Sequence, residues 1–397
     1  MELQDAVIVS GARTPVGRFG GAFKDVAAPD LGAEAIKAAL ERAGISPEQV
    51  EEVVMGNALQ ATEAGYAARL STLKAGIPQE TPTIAVNRQC SSGLEAINMA
   101  AQLVRTGEVD IAIAGGMENM SQSPFLLGYE ARFDGLRMGD ATMRDGLTEG
   151  LGCPVNRYHM GVTAENVAER FEVSREDQDE LALISHQRAV AAISNGRFSE
   201  QIIDVSVPQR RGDPVVVTQD EGPRADTTLE RLSTLRPVFK PGGSVTAGNA
   251  SSINDGAAAV VIMSATKAAE LGIQPKLRWH TRGVAGVEPA IMGTGPVPAV
   301  RKALSKSGMD IDDIDLIELN EAFAAQAIYC MRELDMDLDK TNVNGSGISL
   351  GHPVGATGAI MTVKLMEEIG LRDQELGLVT MCVGGGQGVA TIFERVG

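Results

Sequence analysis

Two cysteines and one histidine stand in settings where a sulfur could serve as nucleophile or proton carrier and an imidazole as a base. Cys90 is at the centre of NRQCSSGLEAI. A hydrophobic run, TIAV at 83–86, leads into it, and Gly93 opens AINMAAQLV, a stretch with helix character. That order puts the sulfur at a strand-to-helix turn, near the positive end of a helix dipole that favours a thiolate by about 0.3–1 kcal/mol. A free thiol is only roughly a few per cent ionised near neutrality, so the nucleophile needs a base beside it. A buried structural cysteine is the competing reading.

His352 lies in SLGHPVGATGA, where Pro353 stiffens the turn and the flanking glycines allow close approach of backbone or ligand. It alone of four histidines has such a setting; His186 reads as a surface or packing residue of a helix, and His280 as the end of a strand. Cys382 is delivered by a hydrophobic strand into VGGGQG. A nucleotide-binding glycine loop is the alternative there, but the GxGxxG spacing and its βαβ context are missing. The glycines can equally present backbone N–H groups to a developing oxyanion. Asn320, in ELNEAFAAQA, is an uncharged amide after a buried strand and reads either as a turn residue or as a fixed donor.

The elements that must position these groups come in two copies. AIKAALERAG at 35–44 aligns with AVRKALSKSG at 299–308, and SPEQVEEVVMGN then aligns without a gap with DIDDIDLIELNE, ending at Asn57 and Glu321. Each copy predicts an amphipathic helix, a glycine stop, an acidic turn and a buried strand. VDIAIAGGME at 109–118 resembles LGLVTMCVGGG at 376–386 more loosely. Strands alternating with helices in both copies predict duplicated α/β units with sheets covered on both faces. The stretch 121–248 breaks the rhythm and reads as a functional insertion carrying helices near 163–171 and 175–195, the second capped by Ser174. The division expected is 1–120 with 249–271 as one half, 121–248 as an inserted loop domain, and 272–397 as the other half.

Bulk properties narrow the function. A length of 397 residues predicts more than one packed unit, and a net charge of −17 argues against a nucleic-acid binder. No apolar run is long enough to span a bilayer, and no secretory signal is visible at the start. Four scattered cysteines without a CxxC pair suit a reducing cytoplasm and give no zinc pattern. No motif calls for a metal or a cofactor.

In chain order, NRQCSSGLEA, GGMENMSQSP, TAGNASSINDGAAA, NEAFAAQA, GHPVGATG and CVGGGQG resemble the thiolase family over essentially the whole sequence. The resemblance implies a duplicated, layered αβαβα fold with a loop domain inserted in the first half. It implies that Cys90 takes the acyl group, that His352 activates it, and that Cys382 moves the α-proton. Asn320 would hold a water that stabilises a thioester enolate with His352, and the amides of Cys90 and Gly384 would form a second oxyanion site. The substrates implied are CoA thioesters: acetyl-CoA, acetoacetyl-CoA or another 3-ketoacyl-CoA, and CoA itself. Arg224 would neighbour the CoA nucleotide, and Ser251, with Ala247 in the same TAGNASS segment, its pantetheine arm. Arg210, Arg211 and Lys240 are further candidate counter-charges, and Arg231 stands where biosynthetic relatives have a small hydroxyl residue. A homotetramer or homodimer is expected.

Chain-length signals are mixed. HMGVTAENVA, with His159 and Met160, resembles acetoacetyl-CoA thiolases, whereas NRQCSSGL and VTQDEGPRADTTLE resemble the 3-ketoacyl-CoA thiolases of fatty-acid β-oxidation. The expectation favours short chains, with Met160 and Phe323 closing the acyl pocket. β-Ketoacyl synthases share the duplicated architecture, but use two histidines where this chain has His352 and Cys382.

Overall fold

A computed structural model describes residues 3–60 and 65–396. The repeated segments fold alike. Helix Ala28–Ala43 begins with a proline in its first turn and ends at Gly44, whose φ of 67° is left-handed. Its counterpart Pro296–Ser307 ends at Gly308 with φ 72°. A short 3₁₀ turn with a capping box follows each, and then a strand, Glu52–Gly56 or Leu316–Leu319.

Sheet pairing extends the duplication beyond what the residues aligned. In the first half, Ala6–Arg13 pairs antiparallel with Asn254–Ser264, and that strand pairs antiparallel with Ile111–Asn119. Two parallel neighbours follow, Glu52–Gly56 and Thr83–Val86. In the second half, Leu277–Gly286, Gln387–Arg395 and Leu376–Val383 pair antiparallel in turn, and Leu316–Leu319 adds parallel. Where Val53 pairs with Thr83 in the first half, the second has only a parallel bridge from Ile317 to Thr341. The first strands of the halves meet edge to edge at Val7–Arg278 and Ile8–Leu277. His280 lies inside its strand, not at its end.

Period-two alternation sorts side chains into layers. Ile8, Val260, Ile262, Val379 and Met381 share a central core with Leu94, Ile97, Ile360 and Val363. These last four belong to helices Ser92–Arg105 and Thr357–Leu371, which are therefore sandwiched between the two sheet halves. The opposite faces bury Val7, Val9, Val261 and Met263 with Leu31, Ile36 and Leu40 of one outer helix. In the second half, Ile317, Leu319 and Leu378 pack with Val297, Val300 and Leu304 of the other. The layers run αβαβα. Each fully buried aliphatic side chain in these cores contributes about 1.5–3 kcal/mol.

The chain leaves the first-half sheet at Asn119 and re-enters it at Asn254. The intervening segment carries helices Met160–Arg170 and Arg175–Ser194; Ser174 Oγ accepts the amide of Asp177 at the second. A buried bidentate ion pair fastens this segment to the sheet, with Arg13 Nη1 and Nη2 donating to the Asp220 carboxylate at 2.7 and 2.9 Å. No helix among the described residues is long and apolar enough to cross a membrane.

Candidate active site

The two central helices bring the active loops together because they touch through glycines at their N-termini. A β-carbon on Gly93 would lie 2.9 Å from the carbonyl oxygen of Gly355, and one on Gly358 would lie 2.5 Å from the amide of Leu94. Any larger residue at either place would drive apart the loops that carry Cys90 and His352.

Cys90 is held by a strained turn. Gln89 before it has φ 45°, left-handed for a residue with a side chain, at a cost of about 1–2 kcal/mol. Local bonds hold the turn: Ser92 Oγ donates to the Gln89 carbonyl at 2.6 Å and accepts the Arg88 amide at 2.9 Å, and Asn87 Oδ1 accepts the Gln89 amide at 3.0 Å. Cys90 thereby precedes the helix that starts at Ser92. It is half-buried, and burial pushes its thiol up to about 11. Hydrogen bonds from the backbone N–H groups of Gly384 and Cys90 itself act the other way, and the charge of Glu118 pushes up again. These two amides are the ones expected to form an oxyanion site.

His352 is fixed on three sides. Its backbone amide donates to Asn254 Oδ1 at 2.9 Å, its Nδ1 lies 2.6 Å from Thr357 Oγ1, and its Nε2 lies 3.4 Å from Asn320 Nδ2. The Thr357 hydroxyl has one hydrogen and gives it to the Pro353 carbonyl at 2.9 Å. It must accept from His352, so Nδ1 carries the proton and Nε2 keeps its lone pair. Burial lowers the imidazole to about 4, which keeps it neutral near pH 7. The result is a base whose free nitrogen is presented in a known direction.

Cys90, His352 and Gly384 line one cavity of about 700 Å³. Cys382 and Asn320 are fully buried just behind its wall rather than on it. Cys382 packs with Met160, Met292, Phe239 and Phe323, which all border the cavity. Burial pushes its thiol well above the usual range, and the charge of Cys90 pushes it further, so the two sulfurs sense each other. Asn320 reaches the site through His352.

At the acyl end, His159 stacks on Phe239 with centroids 4.8 Å apart, and Phe239 meets Phe323 edge-on at 6.1 Å. His159 Nδ1 also caps helix Met160–Arg170 by accepting the Gly161 amide at 3.0 Å. The Met160 methyl lies 3.0 Å from where a β-carbon on Gly384 would stand. Ala247 and Ser251 line the cavity farther out, as do Arg18, Arg224 and Arg231.

Several residues depart from what their sequence setting suggested. His186 is a buried residue of the cavity wall: its Nδ1 accepts the Arg224 amide at 3.3 Å, and burial and the charges of Arg224 and Arg18 lower it to about 4. Lys240 pairs with Glu169 at 2.6 Å on the surface, and Arg210 and Arg211 lie on an exposed loop; none of the three lines the cavity. Arg231 does line it, and is ion-paired with Asp226.

Thr357, Asn254 and Glu118 emerge only from the structure. Glu118 accepts from the amides of Ala58 and Gly355, both at 2.9 Å, and from Asn57 Nδ2 at 2.7 Å, tying a first-half loop to the His352 loop. Burial raises its carboxyl to about 7. Glu118 stands in GGMENMSQSP and Thr357 in GHPVGATG, so their motifs were visible although their contacts were not.

Comparison with known proteins identifies the family. Residues 6–266 match the family described as thiolase, N-terminal domain, and residues 273–395 match thiolase, C-terminal domain. The chain belongs to the thiolase family. This thiolase is 49% identical over 394 residues to the acetyl-CoA acetyltransferase of Cupriavidus necator, covering 99% of this chain and 100% of that one. It superimposes on the crystal structure of the Bacillus anthracis acetyl-CoA acetyltransferase with a TM-score of 0.97 at 46% identity, covering 100% of both chains. With human mitochondrial 3-ketoacyl-CoA thiolase in complex with CoA, the TM-score is 0.95 at 42% identity, covering 99% of this chain and 98% of that one.

Proposed function

We propose that this thiolase catalyses the reversible condensation of two acetyl-CoA into acetoacetyl-CoA and CoA, through an acyl group on Cys90. The observation that carries the reading is the neutral imidazole of His352, its Nε2 unprotonated, lining the same cavity as Cys90 and Gly384. In the first half-reaction, Nε2 takes the Cys90 proton and the thiolate attacks the acetyl carbonyl carbon. The oxyanion forms against the amides of Cys90 and Gly384. Collapse expels the CoA thiolate, which recovers the proton from His352.

In the second half-reaction, His352 takes the Cys382 proton, and the new thiolate removes the α-proton of a second acetyl-CoA. The enolate oxygen meets the protonated Nε2 and a water held by Asn320. The α-carbon attacks the acyl carbonyl, and the departing Cys90 sulfur recovers the proton from His352. A thioester enolate is too basic to release into water, so donors placed beforehand account for much of the acceleration. Holding the acyl group covalently while the CoA molecules exchange gives ping-pong kinetics.

Short-chain preference rests on the acyl end, where Met160, Met292 and Phe323 pack around Cys382. At the outer end, Arg224 and Arg231 supply positive charge for CoA phosphates on a protein of net charge −17, with Ser251 and Ala247 along the pantetheine path. A thiolysis assay across chain lengths, with mass spectrometry to locate the acyl group, tests the proposal. Acylation of Cys90 with preference for acetoacetyl-CoA is expected. Comparable kcat/KM for 3-ketodecanoyl-CoA would move the enzyme to the broad 3-ketoacyl-CoA class, and acylation elsewhere would refute the mechanism.

The three-part domain division, 1–120 with 249–271, 121–248, and 272–397, is proposed on the same footing, supported by the excursion between Asn119 and Asn254. A cytoplasmic location is supported by four free cysteines. A homotetramer or homodimer is supported by exposed Phe125, Tyr129, Phe133, Leu136 and Met138, an apolar set that self-association would cover.

A further inference from the structure

A second cavity is lined by Asn320 and by Thr357, the partner of the His352 ring. Its volume is about 10 Å³, enough for one water molecule. All its lining residues are buried, and its polar wall is made by Arg13, Asn320, Ser346, Thr357 and Lys364. Asn320 Oδ1 has no hydrogen-bond partner among the described residues, although Asn320 is fully buried. An orphaned acceptor of this kind costs about 1–3 kcal/mol unless something donates to it.

Donors stand across the cavity. Lys364 Nζ gives two of its three hydrogens to Glu318 Oε2 at 2.8 Å and the Gly345 carbonyl at 2.7 Å. Arg13 Nη2 gives one of its two to Asp220. Neither cation donates to Asn320 directly. We propose that one ordered water occupies this cavity, accepting the third hydrogen of the buried Lys364 ammonium and donating to Asn320 Oδ1.

The water has a function in the geometry. Because Thr357 fixes the His352 proton on Nδ1, Nε2 presents a lone pair to Asn320 and requires the NH₂ end of the amide to face it. A flipped amide would set its oxygen against that lone pair and turn its NH₂ toward two cations. The water-mediated contact selects the orientation in which Nδ2 faces the reacting centre. Lys364 is then a positioning residue, acting on the enolate donor through Asn320 without touching substrate.

The kinetic arm of this inference rests on the thiolase reaction proposed above; the diffraction arm does not. Neutron diffraction on the wild-type enzyme is expected to show one D₂O hydrogen-bonded to Asn320 Oδ1, with the Nδ2 deuterons toward His352. A dry cavity or a flipped amide overturns the proposal. The paired variant Lys364→Met with Glu318→Gln removes the cation without leaving a buried carboxylate unpaired. In acetoacetyl-CoA thiolysis it is expected to lower kcat about tenfold with KM unchanged, less than removal of an oxyanion donor outright. An unchanged kcat in a folded variant, or equal losses through KM, overturns it; if the variant does not fold, the diffraction result decides. A wild-type enzyme without thiolysis activity would strike the reaction and leave the water test standing.

Discussion

The same frame is loaded differently in the two halves. In the first, strand Thr83–Val86 runs straight into the turn of Cys90 and the helix from Ser92. In the second, the corresponding strand shrinks to the bridge at Thr341, and a longer loop carries His352 to the helix from Thr357. The nucleophile is aimed by its turn, a left-handed Gln89 braced by Asn87 and Ser92, beside the amides of Cys90 and Gly384. The base is placed by side chains: Thr357 and Asn320 on its ring, Asn254 on its amide. A sulfur needs only direction and nearby donors, whereas an imidazole also needs its tautomer set, and only a side-chain or carbonyl partner on the ring can set it.

The comparison can be broken most severely at the sulfurs. Cys90→Ser should lower thiolysis kcat by about 10⁴-fold or more and abolish the acyl-enzyme in mass spectra. Cys382→Ser should lower condensation by about 10³-fold while leaving acylation of Cys90 by acetyl-CoA detectable, since only the α-proton step needs it. Full thiolysis in both variants would void the assignment. Thr357→Val tests the side-chain half: with the tautomer released, kcat should fall roughly 10- to 100-fold, while Thr357→Ser should restore most of it.

Titration sharpens the contrast further. A thiol near 11 beside an imidazole near 4 makes the resting pair neutral, not a thiolate–imidazolium pair. Iodoacetamide alkylation of Cys90 should therefore rise about tenfold per pH unit from 7 toward 10, following the thiolate fraction. A plateau below pH 8 would mean that an ion pair exists at rest. The smallest effect is at the acyl end, where Met160→Ala should shift kcat/KM toward longer 3-ketoacyl chains by about fivefold.

The chemistry was legible where residue type and glycine context coincide, as at Cys90, His352 and Cys382, and the layers were legible through helix and strand periodicity in the two copies. Much of what stayed hidden depends on distant parts of the chain. That Glu118 binds Gly355 and that Asn254 holds the His352 amide follow from how the halves dock; that Thr357, five residues after His352, fixes its ring follows from the local path of the loop. Which basic residues reach the cavity was equally hidden: Arg18 and Arg231 line it while Lys240 is held outside by Glu169, a matter of loop path rather than composition. His186 sits on a helix whose polar and apolar residues show no clear stripe, so its burial left no periodic trace.

The burial of Cys382 behind the cavity wall has a consequence for its survival. Burial pushes its thiol well above the usual range, and a protonated, fully buried sulfur is a poor target for alkylating and oxidising reagents. Such reagents meet the more accessible Cys90 first, so the thiol that must shuttle protons turnover after turnover is the one kept out of their reach.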